Sequence, residues 1–244
     1  MEVIGRAPAV VFIPGFMQPG DAWAPVAERL GERYRCVLLE HREHTYEGRL
    51  GEIADVGEGA VLCGYSLGGR LALRAALADP GGYAGLVTVG ATAGIEGPGQ
   101  RTMRAEADAK LASWIETQPI EQVVALWERQ PLFADQSDSL VEAQCPGRLA
   151  QDPRALALLL RTAGQGALEP LWQELYSLAL PLLAVAGALD ERYAAAATRM
   201  AAAVPAGRVG IVETAGHAPH LQQPDAVAGL LADFLDNHIG QRSV

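Results

Sequence analysis

The stretch Gly64-Tyr65-Ser66-Leu67-Gly68-Gly69-Arg70 decides the fold, because it places a serine on a sharp turn between a strand-like and a helix-like segment. Residues 59–63 in front of it are short and apolar, and Ala and Leu recur at helical spacing over residues 67–78 behind it. Glycines tolerate so tight a backbone and leave room beside the serine. The pattern predicts an exposed Ser66 hydroxyl at a helix N-terminus, where backbone N–H groups favour a developing negative charge. A glycine-rich turn with an incidental serine is the alternative interpretation.

The composition indicates one domain over residues 1–244, since half of the 244 residues are hydrophobic. The 19 basic and 29 acidic residues give a net charge of −10, which argues against nucleic acid or an anionic membrane surface as a partner. Three cysteines without a C-x-x-C pair indicate reduced thiols in a cytoplasmic protein. Residues 1–6 lack a signal-peptide pattern and no apolar run reaches membrane-spanning length, so we expect no membrane association.

Strand-like and helix-like segments alternate along most of the chain. The first, residues 7–13, is apolar throughout, as expected of a parallel strand that is buried on both faces. This alternation predicts an α/β fold with a mostly parallel sheet flanked by helices. The other predicted strands are 35–40, 59–63, 86–89, 181–186 and 208–212, and the predicted helices are 22–32 capped by Asp21, 67–78, 191–203 and one from Pro224 that Gly240 closes.

Residues 94–178 interrupt this alternation, because strand signals disappear and helical patterns follow one another. Met103, Leu111 and Trp114 share one predicted helical face, and Asp152-Pro153 predicts the start of a helix that ends near residue 163. Four or so helices between two strand regions predict a helical lid inserted into the sheet domain. Residues 41–58 are polar and irregular, with at most one short helix near residues 50–56.

A serine hydroxyl is a weak nucleophile and a weak base, and it needs a histidine and an orienting carboxylate to become reactive. Asp190 and His217 follow the last two predicted strands, so the sequence predicts a catalytic triad in the order Ser66, Asp190, His217. Several alternatives stay open for its members. Asp190 could only cap the helix that follows, His217 could be a solvated loop residue, and the competing residues are Glu191, Glu213 and His220.

An oxyanion formed beside Ser66 needs hydrogen-bond donors. The backbone N–H of Leu67 is one candidate, and the second is expected in the loop after the first strand, at Phe16, whose ring could equally serve packing. His41 and His44 stand three residues apart without further ligands, so we expect no metal site. No dinucleotide or phosphate-loop pattern is present, and we expect no cofactor.

The whole chain resembles the α/β-hydrolase superfamily and, within it, the SHCHC synthases of menaquinone biosynthesis. The motifs that carry the closer likeness are G-Y-S-L-G-G-R-L-A-L at the turn, G-x-x-x-x-x-Q-R-x-x-R over 94–104, W-x-x-Q-P-L-F-A over 127–134 and A-G-H-x-x-H-x-x-x-P over 215–224. The lid motifs are the more specific ones. The resemblance implies an α/β-hydrolase fold and a lyase that eliminates pyruvate from an enolpyruvyl cyclohexene carboxylate.

The resemblance also implies a set of residues that bind the carboxylates of a small substrate. Guanidinium groups suit this task, because two parallel hydrogen bonds fix both charge and orientation. Four of these assignments have an alternative. Arg70 could lie on a solvated helix face, and Arg104 could do no more than pair with Asp108. Arg148 is supported by its position alone, and Trp127 could belong to the hydrophobic core. The implied substrate-binding residues are Tyr65, Arg70, Arg104, Trp127 and Arg148.

Two features depart from the family pattern. Pro14-Gly15 stands where a His-Gly pair is usual, and the segment between residues 40 and 59 is short and lacks a D-x-P-G-H-G pattern. One wall of the pocket is therefore expected to differ. The lyase is the first functional hypothesis. The second is a serine hydrolase that acts on a small ester with the same triad, and the third is a receptor without catalytic activity.

Overall fold

A computed structural model describes residues 8–239, and its centre is a sheet of six strands that all run parallel. The spatial order is β2-β1-β3-β4-β5-β6. Asp190 and His217 follow the last two strands, and Ser66 follows the third, so all three lie at the carboxyl edge of the sheet. The strands are β1 Val10–Ile13, β2 Cys36–Leu38, β3 Val61–Tyr65, β4 Gly85–Val89, β5 Leu182–Gly187 and β6 Gly207–Val212.

Helices cover both faces of this sheet, and alternate residues of each strand point to opposite cores. Val11 and Ile13 contribute to one core, whereas Val10 and Phe12 contribute to the other. Burial on both faces explains why the strands read as continuous apolar runs. The helices outside the insertion are α1 Ala24–Leu30, α2 Tyr46–Gly57, α3 Leu67–Ala78, α8 Glu191–Ala203, α9 Pro219–Gln222 and α10 Pro224–Phe234.

The insertion between β4 and β5 consists of helices with a core of their own. Met17, from the loop after β1, is buried in this third core together with Ile115 and Leu156, so the insertion rests on the sheet domain. Asp152 caps the last of these helices through hydrogen bonds from Arg154 N and Ala155 N. The insertion helices are α4 Pro98–Ile115, α5 Ile120–Glu128, α6 Asp138–Leu149 and α7 Pro153–Ala163.

Three expectations from the sequence need correction. Residues 46–57 form a full helix, α2, which Thr45 caps by accepting a hydrogen bond from Gly48 N. Asp21 caps no helix: it lies in a 3₁₀ turn, and α1 begins only at Ala24. An α-helix that began at Asp21 would need a hydrogen bond from the N–H of residue 25 to the Asp21 carbonyl, and Pro25 has no N–H. Met103 is 71% exposed and does not share the buried face of α4.

Two predicted element boundaries, Ala7 and Gly240, lie outside the described residues. Within residues 8–239, no helix is both long and apolar enough to cross a membrane.

Two helical glycines provide a matched test of this packing. A Cβ atom at Gly68 would lie 2.4 Å from the Ile13 carbonyl oxygen, whereas one at Gly51 would meet nothing within 4 Å. We expect Gly68→Ala to lower the free energy of unfolding by about 2 kcal/mol through overpacking. Gly51→Ala should raise it by about 0.5 kcal/mol, because alanine favours helix. Urea unfolding measures both changes, and a neutral Gly68→Ala would contradict the close approach.

Candidate active site

Ser66 occupies a strained turn between β3 and α3. Its φ of 50° lies in the left-handed region, which side chains other than glycine rarely adopt. The turn is held because Ser66 N donates to the Val89 carbonyl at 2.8 Å. The absence of a side chain on Gly68 lets the start of α3 approach the end of β1. The predicted strand–turn–helix arrangement therefore forms, with the hydroxyl facing the carboxyl edge of the sheet.

His217 connects Ser66 with Asp190. Its Nε2 lies 3.1 Å from the Ser66 Oγ, and its Nδ1 lies 2.7 Å from Asp190 Oδ2. The His217 side chain is almost fully buried, at 1% exposure. Since the carboxylate accepts from Nδ1–H, Nε2 is left to accept the hydroxyl proton of the serine. This geometry suits a serine that gives its proton to a histidine, either to act as a base or to act as a nucleophile.

Asp190 both caps a helix and orients His217, so the two interpretations of this residue are compatible. Its Oδ1 accepts from Tyr193 N at 3.4 Å at the start of α8, while Oδ2 holds His217. The helix cap thus fixes the carboxylate in the orientation that the histidine needs.

The loop that carries His217 is tied to the insertion. Gly216 N donates to Gln222 Oε1 at 2.9 Å, and Gln222 Nε2 donates to the Asp135 carbonyl at 3.1 Å. The Tyr193 ring meets the His217 ring edge-on, with centroids 4.5 Å apart. These contacts restrict the imidazole to one orientation.

His220, the histidine that competes with His217 for a place in the triad, and His41 have other surroundings. His220 is fully buried between the rings of Trp23 and Tyr65, and neither of its nitrogens has a hydrogen-bond partner among the described residues. His41 Nδ1 pairs with Glu52 Oε2 at 2.7 Å. Burial lowers the pKa of His41 to about 4, against the opposing effect of the Glu52 hydrogen bond. Over residues 8–239, no group of three or more His, Cys, Asp or Glu side chains could hold a metal.

The two predicted oxyanion donors lie on either side of the turn. Phe16 follows β1, and its ring packs on Trp127 with centroids 5.1 Å apart, so this aromatic does serve packing. Leu67 is the first residue of α3, where backbone N–H groups have no acceptor within the helix. Both line the same cavity as Ser66. Their role as oxyanion donors stays a prediction.

A cavity of about 220 Å³ separates the insertion from the carboxyl edge of the sheet. Every site residue predicted from the sequence lines it, from the sheet domain and from the insertion alike. These residues are Phe16, Tyr65, Ser66, Leu67, Arg70, Arg104, Trp127, Arg148, Asp190 and His217.

The three predicted arginines have different partners. Arg70 Nη1 donates to the Ala163 carbonyl at 3.0 Å, and burial lowers the pKa of Arg70 to about 10. Arg104 Nε pairs with Asp108 Oδ1 at 2.7 Å, and Arg148 Nη1 pairs with Glu128 Oε1 at 2.9 Å. Arg70 therefore has no carboxylate partner among the described residues, whereas the other two guanidinium groups are already ion-paired.

The sequence did not single out several cavity-lining residues. Phe133 packs on Trp127, and Gln165 and Tyr193 are buried beside Arg104 and His217. Phe133 stands inside the W-x-x-Q-P-L-F-A motif, and Tyr193 stands three residues after Asp190, so both had a positional signal. Gln165 lies in a turn after the end of α7 and had no such positional signal, because it reaches the cavity only through the packing of two segments that are distant in the chain.

Comparison with known proteins decides the family. A model of the alpha/beta hydrolase family matches residues 10–230. The chain belongs to the alpha/beta hydrolase family. This confirms both the fold class and the resemblance drawn from the motifs.

Within the alpha/beta hydrolases, several proteins similar to this chain are named as synthases of the same compound. A protein of Bacillus subtilis (strain 168), named a putative 2-succinyl-6-hydroxy-2,4-cyclohexadiene-1-carboxylate synthase, is 34% identical over 93% of this chain and 90% of its own length. A synthase of that name from Serratia proteamaculans (strain 568) is 36% identical over 72% of this chain and 68% of its own length.

Solved structures agree on the fold. MenH from S. aureus superimposes with a TM-score of 0.86 at 24% identity, covering 96% of this chain and 95% of its own. An esterase from Thermogutta terrifontis gives a TM-score of 0.78 at 20% identity, covering 96% and 92%. One backbone arrangement is thus shared with MenH and with an esterase, so the fold alone does not select a reaction.

The buried His220 predicts a stability loss in mild acid. Burial, with a smaller effect of nearby His217, lowers its pKa to about 3, whereas an unfolded histidine titrates near 6.5. Between these values only the unfolded chain binds the proton, so the free energy of unfolding falls as the pH drops below about 6.5. From about pH 6.5 to about pH 5 the loss due to His220 should be on the order of 1.5 kcal/mol.

Urea unfolding at several pH values measures this loss in the native sequence and in His220→Phe. The phenylalanine variant should show a shallower fall, and His44→Gln, at an exposed histidine, is the control that keeps the native slope. Equal slopes in the native protein and in His220→Phe would refute the assignment.

Proposed function

We propose that this hydrolase-family chain is a carbon–oxygen lyase, which eliminates pyruvate from an enolpyruvyl cyclohexene carboxylate to give SHCHC in menaquinone biosynthesis. The observation that carries the proposal is the meeting of three arginines, Arg70, Arg104 and Arg148, with Ser66 in one cavity. The relatives named as synthases of this compound support it. The proposed substrate is a small-molecule carboxylate, and the reaction uses neither a cofactor nor a metal.

In this mechanism Ser66 is a base and not a nucleophile. Asp190 orients His217, His217 takes the hydroxyl proton, and Ser66 Oγ removes a proton from the carbon next to a substrate carbonyl. The electron pair of that C–H bond moves onto the carbonyl oxygen. The N–H groups of Phe16 and Leu67 hold the resulting oxyanion, and its collapse breaks the C–O bond and expels the enolate of pyruvate. This enolate takes the proton that His217 holds, which gives pyruvate and returns His217 to its neutral form, while Ser66 keeps the proton taken from carbon.

The arginines, with Tyr65 and Trp127, orient the substrate carboxylates. Arg70 is the strongest candidate for a direct contact, since among residues 8–239 its partly desolvated charge has only a backbone carbonyl as a partner. Arg104 and Arg148 hold their guanidinium planes in place through Asp108 and Glu128. A substrate carboxylate that joins either pair adds a second acceptor to a fixed donor.

A serine hydrolase is the second candidate, because the 3.1 Å contact between Ser66 and His217 equally suits acyl transfer. Ser66 would then attack a small, acidic ester and form an acyl-enzyme that water releases. The two reactions differ in product and in burst kinetics, and one pair of assays separates them.

The first prediction is that the purified protein releases pyruvate from the enolpyruvyl tricarboxylate and that Ser66→Ala lowers this rate by about a thousandfold or more. The same preparations are tested with a p-nitrophenyl ester. Ester turnover with an initial burst, and no pyruvate above background, would show a serine hydrolase. Pyruvate release that survives in Ser66→Ala would remove Ser66 from the reaction.

The second prediction concerns Arg70. Arg70→Ala should lower kcat/KM for the tricarboxylate by about a hundredfold, since a charge-assisted bidentate contact is lost. Arg74→Ala is the matched control, one helical turn further on, where the side chain donates to the Glu169 carbonyl outside this cavity. Unchanged turnover in Arg70→Ala would contradict the proposed clamp.

A further inference from the structure

A chain of polar contacts runs from the insertion to the candidate triad. Arg104 Nη1 donates to Gln165 Oε1 at 3.1 Å, and Gln165 Nε2 donates to the Tyr193 hydroxyl oxygen at 2.9 Å. Gln165 is 6% exposed and Tyr193 is 8% exposed, so water does not readily replace the contact between these two side chains. Both residues line the cavity that holds Ser66 and His217.

The chemistry of the groups fixes the direction of this chain. A guanidinium group has only donors, so the Gln165 atom that faces Arg104 must be the amide oxygen. The amide nitrogen, which has only donors, must then face Tyr193. The Tyr193 oxygen therefore accepts this hydrogen bond, and its own hydrogen points elsewhere.

The tyrosine hydrogen has no acceptor within residues 8–239, since the hydrogen bond from Gln165 is the one that involves this hydroxyl. Tyr193 lines the cavity together with Arg70. The ring itself is held edge-on against His217, and its backbone N–H donates to Asp190. The hydroxyl is thus a fixed donor beside the candidate reaction centre.

We infer that Tyr193 binds an anionic oxygen of the substrate through its hydroxyl hydrogen, and that Arg104 and Gln165 set the direction of this hydrogen bond. The ligand class is a carboxylate or an enolate oxygen. This inference rests on the proposed carboxylate-binding function of the cavity and adds a neutral hydroxyl donor to the side chains that serve that function. A neutral hydroxyl adds a hydrogen bond without adding charge.

A second consequence follows from the direction of the chain. Glutamate at position 165 has two acceptor oxygens and no donor, so it would accept from Arg104 and also from the Tyr193 hydroxyl. The tyrosine hydrogen would then turn away from the cavity. Gln165→Glu should therefore remove the donor from the ligand although the tyrosine is still present.

The test measures binding of succinate, a small dicarboxylate, by isothermal titration calorimetry, which needs no turnover. Tyr193→Phe keeps the ring on His217 and removes the donor, and we expect the Kd for succinate to rise about tenfold. Tyr176→Phe, at a tyrosine 74% exposed and away from the cavity, is the control that keeps the native Kd. Thermal unfolding confirms that each variant is folded.

Gln165→Glu completes a double-mutant cycle with Tyr193→Phe. The added negative charge weakens succinate binding in both backgrounds, and this common effect cancels in the cycle. We expect Gln165→Glu to raise the Kd by a larger factor in the native background than in Tyr193→Phe. Equal factors in the two backgrounds would overturn the assigned direction of the hydrogen bond.

The outcomes separate this inference from the proposed function. A native Kd in Tyr193→Phe, together with weakened binding in Arg70→Ala, would overturn the inference and leave the carboxylate site standing. Loss of binding in Tyr193→Phe without any release of pyruvate by the native protein would support the inference and refute the lyase. No binding of succinate to the native protein would overturn the inference, because the ligand must offer an anionic oxygen.

Discussion

The site depends on one close approach, between the first turn of α3 and the end of β1. Gly68 leaves no side chain between them, and Ser66 adopts a positive φ so that the chain can reverse there. The loop that carries Phe16 therefore lies beside the serine, and the N-terminus of α3 faces the cavity. Asp190 and His217 come to the same place because parallel strands end at one edge of the sheet. A strained residue persists only where its surroundings are well determined, and here two layers of core hold it.

The insertion completes the cavity and is connected to the sheet domain through buried polar contacts as well as apolar ones. Arg70, from α3, donates to a carbonyl at the end of α7. Arg104 and Gln165, from the insertion, reach Tyr193 at the start of α8. The hydrogen bonds from Arg70 to Ala163 and from Gln165 to Tyr193 join the insertion to the sheet domain, whereas the one from Arg104 to Gln165 lies within the insertion. Arg104 is thus connected through Gln165 to Tyr193, whose backbone N–H donates to Asp190 and whose ring packs on His217.

Much of the fold and of the site could be predicted from the sequence, and the reasons for the misses are specific. The strand runs are apolar because both faces are buried, and the order Ser66, Asp190, His217 follows from where those strands end. Helix α2 was predicted too short, near residues 50–56, because Gly48 and Gly51 weaken its pattern, while Thr45 and tertiary contacts stabilise it over Tyr46–Gly57. Gln165 could not be found, since its partners, Arg104 and Tyr193, are 61 and 28 residues away in the chain. Periodicity reports which side of an element is buried, and it carries no information on such side-chain partners.

The ion pairs of Arg104 and Arg148 have a consequence for how fast an anion would arrive. The chain carries a net charge of −10, and two of the four arginines that line the cavity, Arg104 and Arg148, are ion-paired with Asp108 and Glu128. The two paired guanidinium groups therefore contribute little positive potential in solvent, and beyond roughly 10 Å salt screens what remains at 0.1 M ionic strength. Neither of these two pairs therefore does much to steer a multiply charged substrate toward the cavity. Arg104 and Arg148 then recognise an anion at contact distance, through the direction of their N–H donors.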